Sequence, residues 1–167
     1  AQAVVAFSRA IALDPSFASA YTNRGLAYVQ QGQFDLALAD YAQAIALNPQ
    51  DAGTWRNRGH VYSQQGDADR AIADYTQALT LEPDSAITYN NRGGAYFDQG
   101  DNERALADFD QAIELDPTYT LAYANRGMVY QQQKRFPEAL ADFNRAIEID
   151  PEFALAYYNR GLVHAQT

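Results

Sequence analysis

The sequence repeats itself every 34 residues. Five prolines mark the interval at Pro15, Pro49, Pro83, Pro117 and Pro151. An arginine-glycine pair recurs at the same interval, at Arg24-Gly25, Arg58-Gly59, Arg92-Gly93, Arg126-Gly127 and Arg160-Gly161. A fixed period of this length is typical of repeat architectures, in which each unit packs only on its neighbours. We therefore expect an array of units that share one continuous core.

Each repeat predicts a pair of helices. In the first helix an aromatic residue precedes the arginine by three positions and a tyrosine follows the glycine by three, as at Tyr21 and Tyr28. In the second helix an aromatic residue lies between two alanines at helical spacing, as at Ala37, Tyr41 and Ala44. Side chains three or four residues apart lie on one side of a helix, so each helix presents a stripe that can pack.

The turn between the paired helices is predicted from glycine, which can adopt the left-handed conformation that ends a helix. These glycines are Gly32, Gly66 and Gly100. Asp67 and Asp101 follow two of them and suit the first position of the next helix. The fourth repeat has Lys134 at the glycine position, but Pro137 suits the first turn of its second helix, so we expect the hairpin to form with a slightly strained turn.

A glycine within a helix costs about 1 kcal/mol relative to alanine, so its recurrence needs a structural reason. We expect close approach of the paired helices, with Gly25 facing the small side chains of Ala37 and Ala44.

These features resemble the tetratricopeptide repeat family. The family's pattern is an aromatic residue, Leu-Gly and Tyr, followed by Ala, Phe and Pro, and this chain resembles an Asn-Arg-Gly variant of it. The resemblance covers the whole chain as a single array. It implies four complete repeats at residues 18–51, 52–85, 86–119 and 120–153, preceded by a second helix at 1–15 and followed by a first helix at 154–167. The expected fold is all-α, a right-handed superhelical solenoid of antiparallel helix pairs. The first and last helices each lack a partner, which suggests a piece of a longer protein.

The family pattern has leucine where this chain has the repeated arginine. A buried arginine needs a partner, and an aspartate follows each one by 16 residues in the second helix. The predicted structural ion pairs are Arg24 with Asp40, Arg58 with Asp74, Arg92 with Asp108 and Arg126 with Asp142. We expect them to fix the register of the two helices more than to add net stability.

The resemblance places the first helices along a concave groove, where only asparagine is constant. These residues are Asn23, Asn57, Asn91, Asn125 and Asn159. A carboxamide offers two donors and an acceptor and can pair with the backbone of an extended peptide. The series looks like the asparagine ladder of the O-linked N-acetylglucosamine transferase family, whose catalytic portion is absent from this sequence. The alternative is that these asparagines bond only to adjacent helices.

Selectivity for a peptide partner is predicted from the variable neighbours Arg56, His60, Asn90 and Met128. The family's clamp for a C-terminal carboxylate is disfavoured, because no lysine matches its pattern and Met128 occupies one position where the clamp needs asparagine. The expected partner is a protein or peptide segment.

Composition excludes several other functions. A net charge of −9 opposes binding to nucleic acid or anionic lipid and favours basic or neutral partners. The chain has no cysteine and two widely separated histidines, so we expect no catalytic residues, no metal and no cofactor. No apolar run is long enough to span a membrane, which favours a soluble, cytoplasmic protein.

Two alternatives to peptide binding remain open. Apolar terminal helices could stack head to tail between copies, which would make the chain a self-assembling architectural module. The array could also recruit substrates for an enzyme elsewhere in a larger protein.

Overall fold

The computed structural model describes residues 2–166 and contains ten α-helices and no strand within them. The helices are α1 (Gln2–Leu13), α2 (Ala18–Val29), α3 (Phe34–Leu47), α4 (Ala52–Gln64), α5 (Ala68–Leu81), α6 (Ala86–Asp98), α7 (Asn102–Leu115), α8 (Thr120–Gln132), α9 (Phe136–Ile149) and α10 (Ala154–His164). The predicted all-α fold of helix pairs is confirmed.

The chain forms two compact units, one ending at Pro83 and the other beginning at Asp84. In the first unit the hairpins α2–α3 and α4–α5 pack through α3 and α4, and α1 packs on α2. In the second unit the hairpins α6–α7 and α8–α9 pack through α7 and α8, and α10 packs on α9. First helices also contact each other within a unit, α2 with α4, α6 with α8 and α8 with α10.

The turns between paired helices adopt the left-handed conformation predicted from their glycines. Gly32, Gly66 and Gly100 have φ angles of 70°, 77° and 81°. Lys134 adopts the same left-handed conformation, with φ of 58°, and the hydrogen bond that closes its turn is kept. The amide of Arg135 donates to the carbonyl of Tyr130 at 2.8 Å in that turn. A lysine side chain therefore occupies a backbone conformation that strongly favours glycine.

The mid-helix glycines make room for an aromatic ring. A Cβ atom at Gly25 would lie 2.7 Å from Cε1 of Tyr41, and one at Gly127 would lie 2.7 Å from Cε1 of Phe143. Both rings are fully buried in the second helix of their own hairpin. The sequence analysis placed Gly25 opposite Ala37 and Ala44, whereas the atoms nearest to it belong to the ring of Tyr41.

Arginine-aspartate pairs join the two helices of every hairpin. The shortest distance between guanidinium nitrogen and carboxylate oxygen is 2.7 Å in all four pairs: Arg24–Asp40, Arg58–Asp74, Arg92–Asp108 and Arg126–Asp142. Each arginine donates through both Nε and Nη2, and each aspartate side chain is buried. Such two-pronged bonds fix orientation as well as distance.

Aromatic rings flank these guanidinium groups. The guanidinium carbon of Arg58 lies 4.9 Å from the ring centre of Trp55 and 5.9 Å from that of Tyr62. The hydrogen bond with Asp74 raises the pKa of Arg58 and outweighs the opposing effect of burial. The arginine therefore remains charged within an otherwise apolar hairpin.

Arg126 and Arg24 also reach back to the second helix of the preceding repeat. Nη1 of Arg126 donates to Oδ1 of Asp110 at 2.6 Å, and Nη1 of Arg24 donates to Oγ of Ser8 at 3.0 Å. These side chains therefore connect three helices, α7 with α8 and α9, and α1 with α2 and α3.

Candidate functional site

We call the residues around the repeated asparagine of each first helix, whether buried or exposed, the first-helix surface. It consists of Thr22, Asn23 and Leu26 on α2; Arg56, Asn57 and His60 on α4; Asn90, Asn91 and Gly94 on α6; Ala124, Asn125 and Met128 on α8; and Tyr158, Asn159 and Leu162 on α10. Its two portions, one in each compact unit, are described separately.

In the first unit, hydroxyl groups fix the spacing of α2 and α4. The Oγ1 atoms of Thr22 and Thr54 lie 2.7 Å apart, and Thr54 also bonds to the carboxylate of Asp51. Asp51 caps α4 by accepting from the amide of Gly53 at 3.1 Å. Because Thr54 is buried, this chain of bonds holds the two helices in one register.

The predicted site residues of the first unit remain available to a ligand. Asn23 and His60 are exposed, whereas Asn57 and Arg56 are partly buried. The carboxamides of Asn23 and Asn57 form no hydrogen bond with other residues of the described chain. Nη1 of Arg56 lies 4.0 Å from Oε2 of Glu82, a contact between partly solvated groups that contributes little.

In the second unit, two carboxamides bond to each other. Nδ2 of Asn125 on α8 donates to Oδ1 of Asn90 on α6 at 2.8 Å. Asn90 is only 3% exposed, so it does not present itself to a ligand as the sequence analysis expected. The reason is the packing of α8 against α6, which brings Asn125 over it. Asn91 is partly buried, and its side chain makes no hydrogen bond within residues 2–166.

Asn159 differs from the other asparagines. It is 6% exposed, and its Nδ2 atom is buried without a hydrogen-bond partner in the described part of the chain. It lines an open cavity of about 390 Å³ together with Phe97, Met128 and Lys134. Met128, predicted as a selectivity residue, also packs against the buried cluster around Phe143.

Sequence reasoning missed the contribution of Lys134 to this cavity. The lysine at the glycine position indicated a strained turn, but the repeat period alone does not place that turn beside the first-helix surface.

The sequence does contain a signal for the unpaired donor of Asn159. Asn125 pairs with the residue 35 positions earlier, and the residue 35 positions before Asn159 is Ala124, which has no acceptor.

The described residues hold no group of three or more histidine, cysteine, aspartate or glutamate side chains that could bind a metal ion. None of the helices in residues 2–166 is both long and apolar enough to cross a bilayer.

Solved structures with the same arrangement of helices include MamA, with a TM-score of 0.83 at 21% identity over 90% of this chain and 88% of that chain. YrrB, described as a TPR protein with an unusual peptide-binding site, has a TM-score of 0.81 at 23% identity over 95% of this chain and 81% of its own. The first TPR domain of Spaghetti (RPAP3), solved with the HSP90 peptide SRMEEVD, has a TM-score of 0.67 at 29% identity over 70% of this chain and 93% of its own.

Family models cover nearly the whole chain. A TPR repeat model matches residues 1–32 and 25–66, and tetratricopeptide repeat models match residues 56–120 and 120–153. No curated protein matches the sequence. The repeated sequence pattern, the helix pairs and these matches agree, and the chain belongs to the tetratricopeptide repeat family, whose repeats form protein–protein interaction modules.

Proposed function

We propose that the chain binds an extended peptide segment of a partner protein through the asparagines of its first-helix surface. The observation that carries this proposal is that Asn23, Asn57 and Asn91 have carboxamides without hydrogen bonds to other residues of the described chain. Each carboxamide can donate to a main-chain carbonyl and accept from a main-chain amide. Such a carboxamide recognises an extended backbone whatever its side chains are.

The burial of these side chains supports the proposal. Asn57 and Asn91 are partly buried on helices that are held by buried ion pairs, which limits the conformational entropy that binding would cost. Arg56, His60 and Met128 vary between repeats and lie beside the asparagines. We assign them the selection of side chains along the bound segment.

The related structures and the charge of the chain agree with a peptide partner. The Spaghetti domain, at 29% identity, binds a peptide. The net charge of −9 disfavours nucleic acid, because phosphate backbones are recognised by cationic surfaces. Peptide recognition by a helical array needs no such surface.

The test begins with peptides selected on the wild-type protein from a displayed random library. Their affinities are then measured by fluorescence anisotropy for the wild type and for the double variant Asn57→Ala/Asn91→Ala. We expect the double variant to bind about tenfold to a hundredfold more weakly, since each lost hydrogen bond contributes about 1 kcal/mol.

The matched control removes two carboxamides from second helices, with Gln43→Ala on α3 and Gln111→Ala on α7. Its affinity should equal that of the wild type. Equal affinity of the asparagine double variant and the wild type would refute the role of the asparagines.

A second candidate function is self-assembly, which exposed apolar side chains on α1 and α10 favour. Val5 and Leu13 on α1 are each 70% exposed, and Tyr158 on α10 is 65% exposed. Burial of these side chains between copies would remove apolar surface from water, which favours association. Sedimentation over a range of concentrations should detect head-to-tail oligomers that Tyr158→Ser weakens, and a monomer at all concentrations would exclude this function.

A further inference from the structure

The Asn159 side chain carries a donor that the fold leaves unused. Its Nδ2 atom is buried and has no hydrogen-bond partner in residues 2–166, although the residue is only 6% exposed. A buried N–H group without an acceptor is unfavourable, and such groups are uncommon in folded proteins.

The equivalent donor one repeat earlier has an acceptor. Asn125 Nδ2 donates to Asn90 Oδ1 at 2.8 Å, and both residues lie on adjacent first helices, α8 and α6. The residue that corresponds to Asn90 for Asn159 is Ala124, which is fully buried and has no side-chain acceptor. The single difference between asparagine and alanine at this position explains why Asn159 has a free donor.

Asn159 belongs to the wall of the open cavity of about 390 Å³ described above. Phe97 and Met128 provide apolar surface in that wall, and Lys134 provides a cation. Lys134 is exposed and has no acidic partner within 4.0 Å among the described residues, whereas Arg126, Arg135 and Arg145 of the same unit are paired with acids.

The charge of the cavity is opposite to that of the chain. No aspartate or glutamate lines it, so Lys134 gives its wall a positive charge on a protein whose net charge is −9. The wall therefore combines the buried carboxamide of Asn159, the cation of Lys134 and the apolar surface of Phe97 and Met128, and Gln131, Gln132 and Gln166 complete its lining. That combination is complementary to an apolar side chain next to a carboxylate.

We propose that Asn159, Lys134, Phe97 and Met128 form a subsite for an extended peptide segment that carries a carboxylate beside an apolar side chain. Asn159 Nδ2 donates to a main-chain carbonyl of the segment, Lys134 binds the carboxylate, and the apolar side chain packs on Phe97 and Met128. The carboxylate belongs to an acidic side chain of the segment, because the chain lacks the lysine pattern of the family's clamp for a C-terminal carboxylate. This subsite rests on the proposed peptide-binding function and specifies one part of the bound segment.

The test uses short peptides of defined sequence. The probe with an acidic side chain is acetyl-Ala-Leu-Glu-Ala-amide, its neutral match is acetyl-Ala-Leu-Gln-Ala-amide, and the probe with a terminal carboxylate is acetyl-Ala-Ala-Leu. Titration followed by NMR measures each affinity and the shift of the Asn159 side-chain amide. We expect the probe with an acidic side chain to bind about tenfold more tightly than its neutral match, as one charge-assisted hydrogen bond would provide. Tighter binding of the terminal-carboxylate probe than of this probe would overturn the assignment.

Three variants isolate the parts of the subsite. Ala124→Asn supplies the acceptor that Asn90 supplies to Asn125, so it should remove the shift of the Asn159 amide and weaken every probe. Ala124→Ser is the smaller variant if asparagine perturbs folding at this fully buried position. Lys134→Gly should abolish the preference for the carboxylate while raising the melting temperature, since glycine relieves the left-handed turn.

The outcomes separate this subsite from the wider proposal. Absence of probe binding at millimolar concentration, or a carboxylate preference that survives Lys134→Gly, overturns the subsite. Library-selected peptides that still depend on Asn57 and Asn91 would then leave the proposed function standing. Loss of that dependence would instead overturn the proposed function, whatever the short probes do.

Discussion

The interior of the hairpins and the first-helix surface differ in how closely they follow the repeat. In the interior, four arginine-aspartate pairs share one distance of 2.7 Å. On the surface, the hydrogen bond between first helices changes from Thr22 with Thr54 to Asn90 with Asn125. In the next repeat Ala124 occupies the position of Asn90, and Nδ2 of Asn159 has no partner among the described residues. The repeat therefore maintains a constant scaffold while the surface it presents varies, which is the arrangement that selective binding requires.

The largest effect on stability should come from breaking an ion pair in the interior of a hairpin. Asp74→Asn leaves the guanidinium of Arg58 without a carboxylate while both side chains are mostly buried. We expect a loss of about 3 kcal/mol in the free energy of unfolding, measured by urea denaturation.

The control for this variant is Glu103→Gln, at an exposed position on α7, which should change stability very little. Asn57→Ala on the first-helix surface should likewise change stability very little. If Asp74→Asn proved as stable as the wild type, the pair would be a neighbour contact without a structural role.

A smaller effect on stability is expected when the repeated glycine is replaced by alanine. The sign of this effect should differ between Gly25 and Gly161. At Gly25 the new Cβ would lie 2.7 Å from the buried ring of Tyr41, so Gly25→Ala should cost about 1–2 kcal/mol despite the better helix propensity of alanine. At Gly161, which has nothing within 4 Å, Gly161→Ala should stabilise α10 by about 0.5–1 kcal/mol.

Thermal unfolding of the two alanine variants measures the difference directly. A rise in melting temperature for both would show that the ring of Tyr41 yields easily. A fall in melting temperature for both would contradict the open space found around Gly161.

The smallest effect on stability is expected from lowering the pH. The hydrogen bonds with Arg70 and Arg104 lower the pKa values of Asp67 and Asp101, which cap α5 and α7. Because the folded pKa lies below the unfolded value near 4, these carboxylates contribute stability that is present above that pH and is lost as pH falls through the folded pKa.

The double variant Asp67→Asn/Asp101→Asn can still cap both helices but no longer titrates at these positions. Its stability should therefore fall less than that of the wild type between pH 5 and pH 2, as measured by denaturation at each pH. Asp84→Asn, at an exposed position outside the helices, serves as the control. A decline equal to that of the wild type would mean that the caps contribute no pH dependence.

Much of the fold could be predicted from the sequence because it depends on short-range spacing. Glycine at the turns and the 16-residue interval from arginine to aspartate act within one hairpin, where helical geometry determines which side chains meet. The packing of the Tyr41 ring over Gly25 was not predicted, since the spacing shows which face of a helix a residue occupies and not how a large ring fills the gap.

Less of the candidate site could be predicted, because it depends on contacts between repeats. The burial of Asn90 follows from how α8 packs on α6, and a pattern within one repeat carries no information about that packing. The free donor of Asn159 follows from a missing acceptor at Ala124, one helix away. Comparing residues 35 positions apart would have indicated both.

The most direct test of the account is to observe the side-chain amides while a library-selected peptide binds. NMR spectra of the 15N-labelled protein resolve the amide groups of Asn23, Asn57 and Asn91 on the first helices, together with Asn48 and Asn144, which lie outside the first-helix surface. We expect the amide groups of Asn23, Asn57 and Asn91 to shift on titration and those of Asn48 and Asn144 to stay unchanged. Shifts confined to Asn48 and Asn144 would contradict peptide binding at the first-helix surface.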